Sequence, residues 1–247
     1  MLNENIDKYK VFVIIGGDGT VNTAIEYLYN FPEKILAIIP NGSGNGFAGE
    51  LGYKKDVKSL TEDILKAGII DIDILEVNGE KCINVAGIGF DSLIAHDFQL
   101  RSKRGLKSYV FSIFKLVFMY KPSYFEIQSD DLDIKGKFNM ITIANTSQFG
   151  NNAYIAPPAK PNDGLYHLVL IKPFPFYYYP VFAIKLMTGK LKNSRFIKII
   201  KTNQELVLKT SFKKYHIDGE PKFCDGVLNV KMLKQKVKFV KTKYCKL

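Results

Sequence analysis

The sequence predicts an α/β nucleotide-binding domain followed by a β-sandwich, and two patterns support this division. Within about the first 50 residues, a short apolar run, a glycine-rich loop and a helical pattern follow one another twice. Near residue 70 the pattern changes to alternating apolar and polar residues, and short strands between turn signals then dominate the chain. We therefore predict an α/β domain over residues 1–68 and a β-sandwich domain over residues 69–247.

The first unit is VFVIIGGDGTVNTAIEYL, residues 11–28. Val11–Ile15 is apolar and β-branched, which is typical of a strand covered on both faces. The loop that follows lets the backbone approach a ligand closely, and it opens onto a helix whose free N–H groups attract anions. The alternative is a plain tight turn in which Asp18 or Thr20 caps the helix.

The second unit consists of the apolar strand Lys34–Pro40, the loop NGSGNG at residues 41–46 and a short helix that ends near Gly52. Successive βα units place their loops at the carboxyl edge of one parallel sheet, where open α/β sheets bind ligands. The two loops have neither the Walker A pattern nor the Gly-x-Gly-x-x-Gly spacing of dinucleotide-binding strands. The sequence therefore predicts two anion-binding loops that lie side by side.

Two later segments can each be interpreted in two ways. Leu93–Tyr120 is predicted as a helix whose apolar second half either faces the core or forms the wall of an acyl-chain pocket. Phe174–Met187 is predicted as an aromatic-rich helix, and the basic stretch Lys190–Lys201 follows it. These two segments either form a solvated helix end or contact an anionic membrane surface.

Composition limits the classes of partner and compartment. The 47% apolar content of the 247 residues supports a sizeable core, and the net charge of +11 suits an anionic partner. We expect no nucleic-acid partner, because no recognised nucleic-acid-binding motif accompanies the charge. The three cysteines lack metal-site spacing, Met1–Lys10 is polar and no apolar run is long enough to span a membrane. We expect a cytoplasmic protein, and peripheral contact at the inner face of the membrane is the alternative left open by the two segments above.

Five separated motifs carry a family resemblance: GGDGTVN (16–22), GSGNGFA (42–48), NVAGIGFD (84–91), APPAKPNDGL (156–165) and DGEP (218–221). In this order they resemble the signature blocks of the diacylglycerol kinase catalytic family, which includes bacterial soluble lipid kinases and sphingosine kinases. The resemblance implies an α/β nucleotide domain and a β-sandwich lipid domain with a cleft between them. It also implies Mg²⁺-dependent transfer of the ATP γ-phosphate to a hydroxyl of a diacylglycerol-type or sphingoid-type lipid.

The resemblance assigns roles to individual residues. Glu220 matches the proposed proton acceptor, with Asp18 as the second choice, and Asp91 matches a carboxylate near the catalytic metal and the lipid headgroup. Asp163, with the carbonyl groups of Lys160 and Leu165, matches a structural magnesium site. The residues expected to line the nucleotide phosphates are Gly16, Gly17, Asp18, Gly19, Thr20, Asn22, Ser43, Gly44 and Asn45. Phosphoryl transfer depends mainly on positioning and charge neutralisation, and backbone N–H groups and carboxylate-bound Mg²⁺ supply both.

Three departures from the family pattern leave alternatives open. Asn45-Gly46 stands where bacterial diacylglycerol kinases usually have Asn-Asp, and Thr23 stands where glutamate is common. Family members also have a βαβ unit before GGDGT, so we expect this chain to lack it and to be weakly active and marginally stable. The alternatives are a degenerate, non-catalytic lipid- or nucleotide-binding protein and an NAD kinase. An exposed sheet edge would permit a homodimer.

Overall fold

The structure is a computed structural model that describes residues 6–66, 68–100 and 116–247. Its helices are α1 (Asp18–Leu28), α2 (Gly46–Glu50), α3 (Val57–Leu65), α4 (Phe90–Gln99) and α5 (Tyr179–Met187), with a 3₁₀ turn at Phe176–Tyr178. Its strands are β1 (Val11–Gly16), β2 (Ile35–Pro40), β3 (Ile69–Ile72), β4 (Leu75–Val77), β5 (Glu80–Cys82), β6 (Val85–Gly89), β7 (Ser123–Gln128), β8 (Asp133–Phe138), β9 (Met140–Ala144), β10 (Tyr166–Ile171), β11 (Ile197–Thr202), β12 (Leu206–Thr210), β13 (Lys214–Ile217), β14 (Glu220–Phe223), β15 (Val227–Met232) and β16 (Val237–Val240).

The first sheet has the strand order β1-β2-β16-β3. β1 and β2 run parallel, as the repeated strand–loop–helix pattern predicts, and Val11 pairs with Ile35. β16 runs parallel to β2 and antiparallel to β3. The core of this part of the molecule includes Ile25, Leu36 and Phe239, none of which is exposed. The parallel pair therefore brings the two glycine loops to the same edge of one sheet.

Two six-stranded sheets form the predicted β-sandwich. Their orders are β11-β10-β9-β6-β13-β14 and β5-β4-β15-β12-β7-β8, and the pairings within them are antiparallel. One hydrophobic cluster includes residues from both sheets, among them Ile143, Tyr166 and Leu228. The predicted combination of an α/β part and a β-sandwich is confirmed. β6 and β13 lie next to each other, which places the segments NVAGIGFD and DGEP together.

The first sheet differs in two respects from the sequence expectation. Ile69–Ile72 and Val237–Val240 belong to this sheet, although both follow the predicted boundary at residue 69. β1 is an edge strand among the described residues, with Val13 and Ile15 exposed and Ile14 buried. β1 is therefore packed on one face, and the expectation of a strand covered on both faces was wrong, because apolar content alone does not show how many faces are packed.

The predicted helices are observed with different bounds. α4 forms the first part of the helix predicted over Leu93–Tyr120, and residues 101–115 of that prediction lie outside the described residues. The helix predicted over Phe174–Met187 consists of the 3₁₀ turn and α5, and the basic stretch after it contains β11. In the part of the chain that the structure describes, no helix is long and apolar enough to cross a membrane.

Candidate active site

The two glycine loops contact each other through their backbones. A Cβ atom added at Gly42 would lie 2.5 Å from the Cα of Gly17, and one added at Gly17 would lie 2.9 Å from the Cα of Gly42. The N–H of Asn41 also donates to the carbonyl of Gly16 at 2.8 Å. Neither contact position has room for a side chain, so glycine is required there for the close approach. The prediction that the loops lie side by side is confirmed.

Helix α1 begins at the first glycine loop with an open N-terminus. Gly17 is its N-cap residue, and no side chain among the described residues caps it. Neither Asp18 nor Thr20 therefore fills the capping role that the alternative interpretation of this loop gave them. The first N–H groups of α1, together with the positive end of the helix dipole, form the kind of site that binds phosphate groups.

Asp18 instead joins the first loop to the second. Its Oδ2 accepts a hydrogen bond from the N–H of Gly46 at 3.0 Å, and its Oδ1 accepts one from the N–H of Phe47 at 3.1 Å. Asp18 thereby caps α2 from a distant position in the sequence. Burial raises the pKa of this carboxyl, and the two N–H bonds act in the opposite direction.

The second loop is closed by its own asparagine. Asn45 has a left-handed backbone, with φ of 49°. Its Oδ1 accepts from the N–H of Gly42 at 2.8 Å, and its Nδ2 donates to the carbonyl of Gly42 at 2.7 Å. A loop from the β-sandwich supports the other side, because Asn151 donates through Nδ2 to the carbonyl of Ser43 and through its N–H to the carbonyl of Gly44.

A buried network connects α1 to the β-sandwich. The Nδ2 of Asn22 donates to Asp218 Oδ2 at 2.7 Å and to the carbonyl of Lys81 at 2.8 Å. The Asp218 carboxylate also accepts the three backbone N–H groups of residues 83–85. Burial raises the pKa of Asp218, while these hydrogen bonds lower it. The side-chain amide of Asn22 is thus engaged in joining the two parts of the molecule.

Glu220 lies opposite the first glycine loop. A Cβ atom added at Gly19 would lie 2.5 Å from Glu220 Oε1. Glu220 begins β14, and the tight turn Asp218-Gly219 before it has positive φ at both residues. Glu220 is exposed to solvent, whereas Asp91 and Asp218 are buried. The motifs GGDGT and DGEP, about 200 positions apart in the chain, therefore meet at one place with an exposed carboxylate between them.

Asp91, in the first turn of α4, is buried beside that turn, on the face of the β9-β6-β13 sheet that points away from the sandwich core. Its Oδ1 accepts from the N–H of Ser92 at 2.8 Å, and its Oδ2 accepts from Thr142 Oγ1 at 3.1 Å and faces His216 Nε2 at 3.5 Å. The Nδ1 of His216 accepts a long hydrogen bond from the N–H of Gly219 at 3.4 Å, so the ring proton belongs on Nε2, toward Asp91. Thr142 and His216 were missed by the sequence analysis, because single polar residues in strands carry no motif.

The predicted structural magnesium residues have a different partner. Asp163 Oδ2 lies 3.0 Å from the Nζ of Lys201, and its Oδ1 accepts from the N–H of Leu165 at 3.1 Å. A metal ion bound by this carboxylate would have to displace the Lys201 ammonium, whose side chain is 49% exposed. Lys160 is exposed. Among the described residues, no group of three or more His, Cys, Asp and Glu side chains is placed to hold a metal ion. The metal role of Asp163, Lys160 and Leu165 stays a prediction.

Comparison with known families matches both parts of the chain. Residues 2–77 match the diacylglycerol kinase catalytic domain, and residues 84–238 match the YegS C-terminal NAD kinase beta sandwich-like domain. The chain belongs to the diacylglycerol kinase catalytic family. The predicted resemblance is thereby confirmed in both parts of the chain.

Relatives of this lipid kinase family cover most of the chain. A Staphylococcus carnosus protein named "Putative lipid kinase" is 30% identical over 249 residues, which cover 96% of this chain and 79% of the relative. A Bacillus subtilis diacylglycerol kinase is 26% identical over 217 residues, which cover 86% of this chain and 72% of the relative.

Solved structures share the fold of this family member. A diacylglycerol kinase from Bacillus anthracis superposes with a TM-score of 0.75 at 18% identity, over 98% of this chain and 80% of that one. An NAD kinase from Archaeoglobus fulgidus in complex with ATP gives a TM-score of 0.55 at 13% identity, over 97% of this chain and 81% of that one. At these identities the similarity concerns the fold alone.

Proposed function

We propose that the protein transfers the γ-phosphoryl group of ATP to a hydroxyl group of a lipid. Membership of a lipid kinase family supports the reaction class. The observation that carries the proposal is the placement of Glu220, whose exposed carboxylate borders Gly19 at the open N-terminus of α1. An acceptor hydroxyl bound between this carboxylate and the phosphates would be in position for transfer.

The residues then have distinct roles. The N–H groups of the first loop and of α1 bind the nucleotide phosphates and stabilise the charge that develops on them. As the oxygen of the lipid hydroxyl attacks the γ-phosphorus, the bond from that phosphorus to the β-phosphate oxygen breaks and ADP leaves, while Glu220 accepts the hydroxyl proton. Asp18 is the weaker candidate for this base, because both its oxygens already accept backbone N–H groups.

Magnesium carried by ATP would neutralise phosphate charge and would need only one or two protein carboxylates. Asp18 fits this role in our proposal, because each of its oxygens keeps a second lone pair and the side chain lies at the junction of the two loops. Asp91 fits it less well, because it is buried and contacts Ser92, Thr142 and His216.

The test is a phosphorylation assay with radiolabelled ATP and Mg²⁺, in which diacylglycerol, sphingosine and NAD are offered separately, the lipids in detergent micelles. We expect a labelled lipid product and a decrease in kcat of about 10²- to 10⁴-fold for Glu220→Gln. Glu205→Gln, which changes another exposed glutamate, is the matched control and should keep full activity.

Three results would contradict the proposal. Full activity of Glu220→Gln would exclude that residue as the base. Labelling of NAD alone would indicate an NAD kinase. Nucleotide binding without any transfer would favour the non-catalytic alternative.

A further inference from the structure

The two glycine loops of the candidate active site contain no basic residue of their own. Neither GGDGTVN (16–22) nor NGSGNGFA (41–48) has a lysine or an arginine, and Asp18 and Glu220 place carboxylates beside the first loop. A nucleotide polyphosphate carries several negative charges, whereas backbone N–H groups and a helix end supply only partial positive charge. A cationic side chain near the loops would therefore strengthen phosphate binding.

Lys55 brings such a charge to the second loop. Its Nζ donates to Oδ1 of Asn41, the first residue of that loop, at 2.7 Å. The N–H of Asn41 donates in turn to the carbonyl of Gly16, where the first loop begins, at 2.8 Å. Among the described residues, Lys55 is the one basic side chain that forms a hydrogen bond with either loop. Its ammonium group is therefore held close to the junction of the two loops.

The backbone of Lys55 is fixed by the residues on either side of it. Tyr53 is buried, and its hydroxyl donates to the carbonyl of Val240 at 2.7 Å. Asp56 is the N-cap of α3, where its Oδ1 accepts from the N–H groups of residues 58 and 59. Lys55 lies between these two anchored residues, and its own side chain is exposed. The fold thus sets where the lysine begins, while its four-carbon stem can still adjust to a ligand.

The ammonium group of Lys55 is available to an anion. Its partner, Asn41 Oδ1, is a neutral amide oxygen, and no carboxylate of the described residues forms an ion pair with it. The carboxyl group of the next residue, Asp56, already accepts the N–H groups of α3. Because a charged phosphate oxygen is a stronger acceptor than an amide oxygen, a phosphate bound at the loops would attract this ammonium.

The position of Glu220 indicates which phosphates lie near Lys55. In the proposed function the transferred γ-phosphoryl group lies by Glu220 and Gly19. Asn41 contacts the first loop three residues earlier, at Gly16, which ends β1. The ammonium group of Lys55 is therefore nearer to the part of the polyphosphate that is not transferred.

We propose that Lys55 binds the phosphate groups that stay on ADP after transfer. The identity of the nucleotide in this statement rests on the proposed function. Lys55 holds the nucleotide through its charge and takes no part in proton transfer, which belongs to Glu220.

The test is isothermal titration calorimetry of the full chain with ATP and with ADP, in the presence of Mg²⁺ and without lipid. Lys55→Gln should raise the Kd for both nucleotides by about 10- to 100-fold, as expected for the loss of a hydrogen bond between charged groups. Lys55→Arg keeps the charge and should stay within about threefold of the wild type.

Lys54→Gln is the matched control. It removes the same charge from the adjacent exposed residue, whose Nζ lies instead over the ring of Tyr244, 3.4 Å from the ring centroid. This variant should bind ATP and ADP like the wild type. If it loses as much affinity as Lys55→Gln, the effect reflects net charge alone and the proposal is wrong.

The remaining outcomes separate the role of Lys55 from the proposed reaction. Wild-type affinity of Lys55→Gln for both nucleotides would overturn the role of Lys55 and leave lipid phosphorylation standing. Lost affinity for ATP with unchanged affinity for ADP would place the ammonium on the γ-phosphate and overturn the assignment. A loss that accompanies lower stability in urea, and that Lys55→Arg does not rescue, would indicate a structural role and contradict the proposal. Nucleotide binding that depends on Lys55, without any labelled lipid in the phosphorylation assay, would support Lys55 and contradict the proposed function.

Discussion

Gly46 stands where bacterial diacylglycerol kinases usually have an aspartate, and its surroundings give a steric reason for the difference. A Cβ atom at this position would lie 2.6 Å from the carbonyl oxygen of Phe149 and 2.8 Å from Asn84 Nδ2. Both neighbours belong to the β-sandwich part of the chain, so Gly46 is a contact point between the second glycine loop and that domain. The carboxylate absent at this position could not be restored by a simple substitution.

We expect Gly46→Asp to lower the free energy of unfolding by about 1–3 kcal/mol, because the Phe149 backbone must move to admit the side chain. Urea denaturation followed by circular dichroism measures this. Gly49→Ala in the same helix is the control, because its added methyl group would meet Gln148 Nε2 at an ordinary 3.7 Å. That variant should be as stable as the wild type or slightly more stable. If the Gly46→Asp protein is as stable as the wild type, the Phe149 backbone moves without a measurable cost in free energy and the prediction is wrong.

At the scale of secondary-structure elements, the β13–β14 hairpin organises the candidate site. Its turn has positive φ at Asp218 and Gly219, which is typical of the two-residue turn that matches the twist of a hairpin. This turn buries the Asp218 carboxylate under residues 83–85 and leaves Glu220 exposed toward Gly19. His216, one strand position before Ile217, fixes the turn from inside through Gly219.

His216 is therefore a positioning residue in our interpretation. We expect His216→Ala to lower kcat for lipid phosphorylation by about 10- to 100-fold with little change in KM for ATP, because the turn that carries Glu220 loses its support. His167→Ala, which also removes a buried histidine from this sheet, is the control for lost stability. Equal loss of kcat in both variants would indicate a general effect of destabilisation and would contradict the positioning role.

At the scale of the whole molecule, His167 and His96 make stability depend on pH. Burial lowers the pKa of His167, and it also lowers that of His96. Below a pH of about 6.5 the unfolded chain binds protons at these positions that the folded chain does not, so acidification destabilises the fold. Asp18 and Asp218, whose pKa values burial raises, act in the opposite direction at lower pH.

A variant that lacks His167 isolates the contribution of this histidine to the pH dependence of the free energy of unfolding. His167 should add up to about 1.4 kcal/mol per pH unit to the loss of unfolding free energy as the pH falls below about 6.5. We expect His167→Gln to flatten this dependence by at most that amount in urea titrations at a series of pH values. An unchanged slope would show that His167 titrates alike in the folded and unfolded chain.

The sequence alone predicted best the features of this structure that are local in the chain. The strands predicted at Val11–Ile15 and Lys34–Pro40 are observed as β1 and β2, with bounds that differ by one residue, and Asp56 caps α3 through hydrogen bonds from the N–H groups of Lys58 and Ser59. These features depend on residues that are close together in the chain. The position of β16 between β2 and β3 depends on pairing across about 200 residues, which no local pattern records.

The same distinction applies to the candidate site. The motifs predicted which segments meet, and GGDGT does face DGEP. They did not predict that Asp18 caps α2, that Asn22 joins Asp218, or that Asp163 is paired with Lys201. Each of these partners is set by three-dimensional neighbours, and the one-letter sequence contains no signal for them.

The central position of β16 in the first sheet has a consequence for biosynthesis. On the ribosome, β1, β2 and the two glycine loops emerge before the strands of the β-sandwich, and β16 follows every other described strand. The first sheet can therefore close only after the chain of the whole β-sandwich has been made, and pairing over such sequence separations is slow. During that interval the apolar edge of β2 is uncovered, so we expect the nascent chain to depend on chaperones until β16 is inserted.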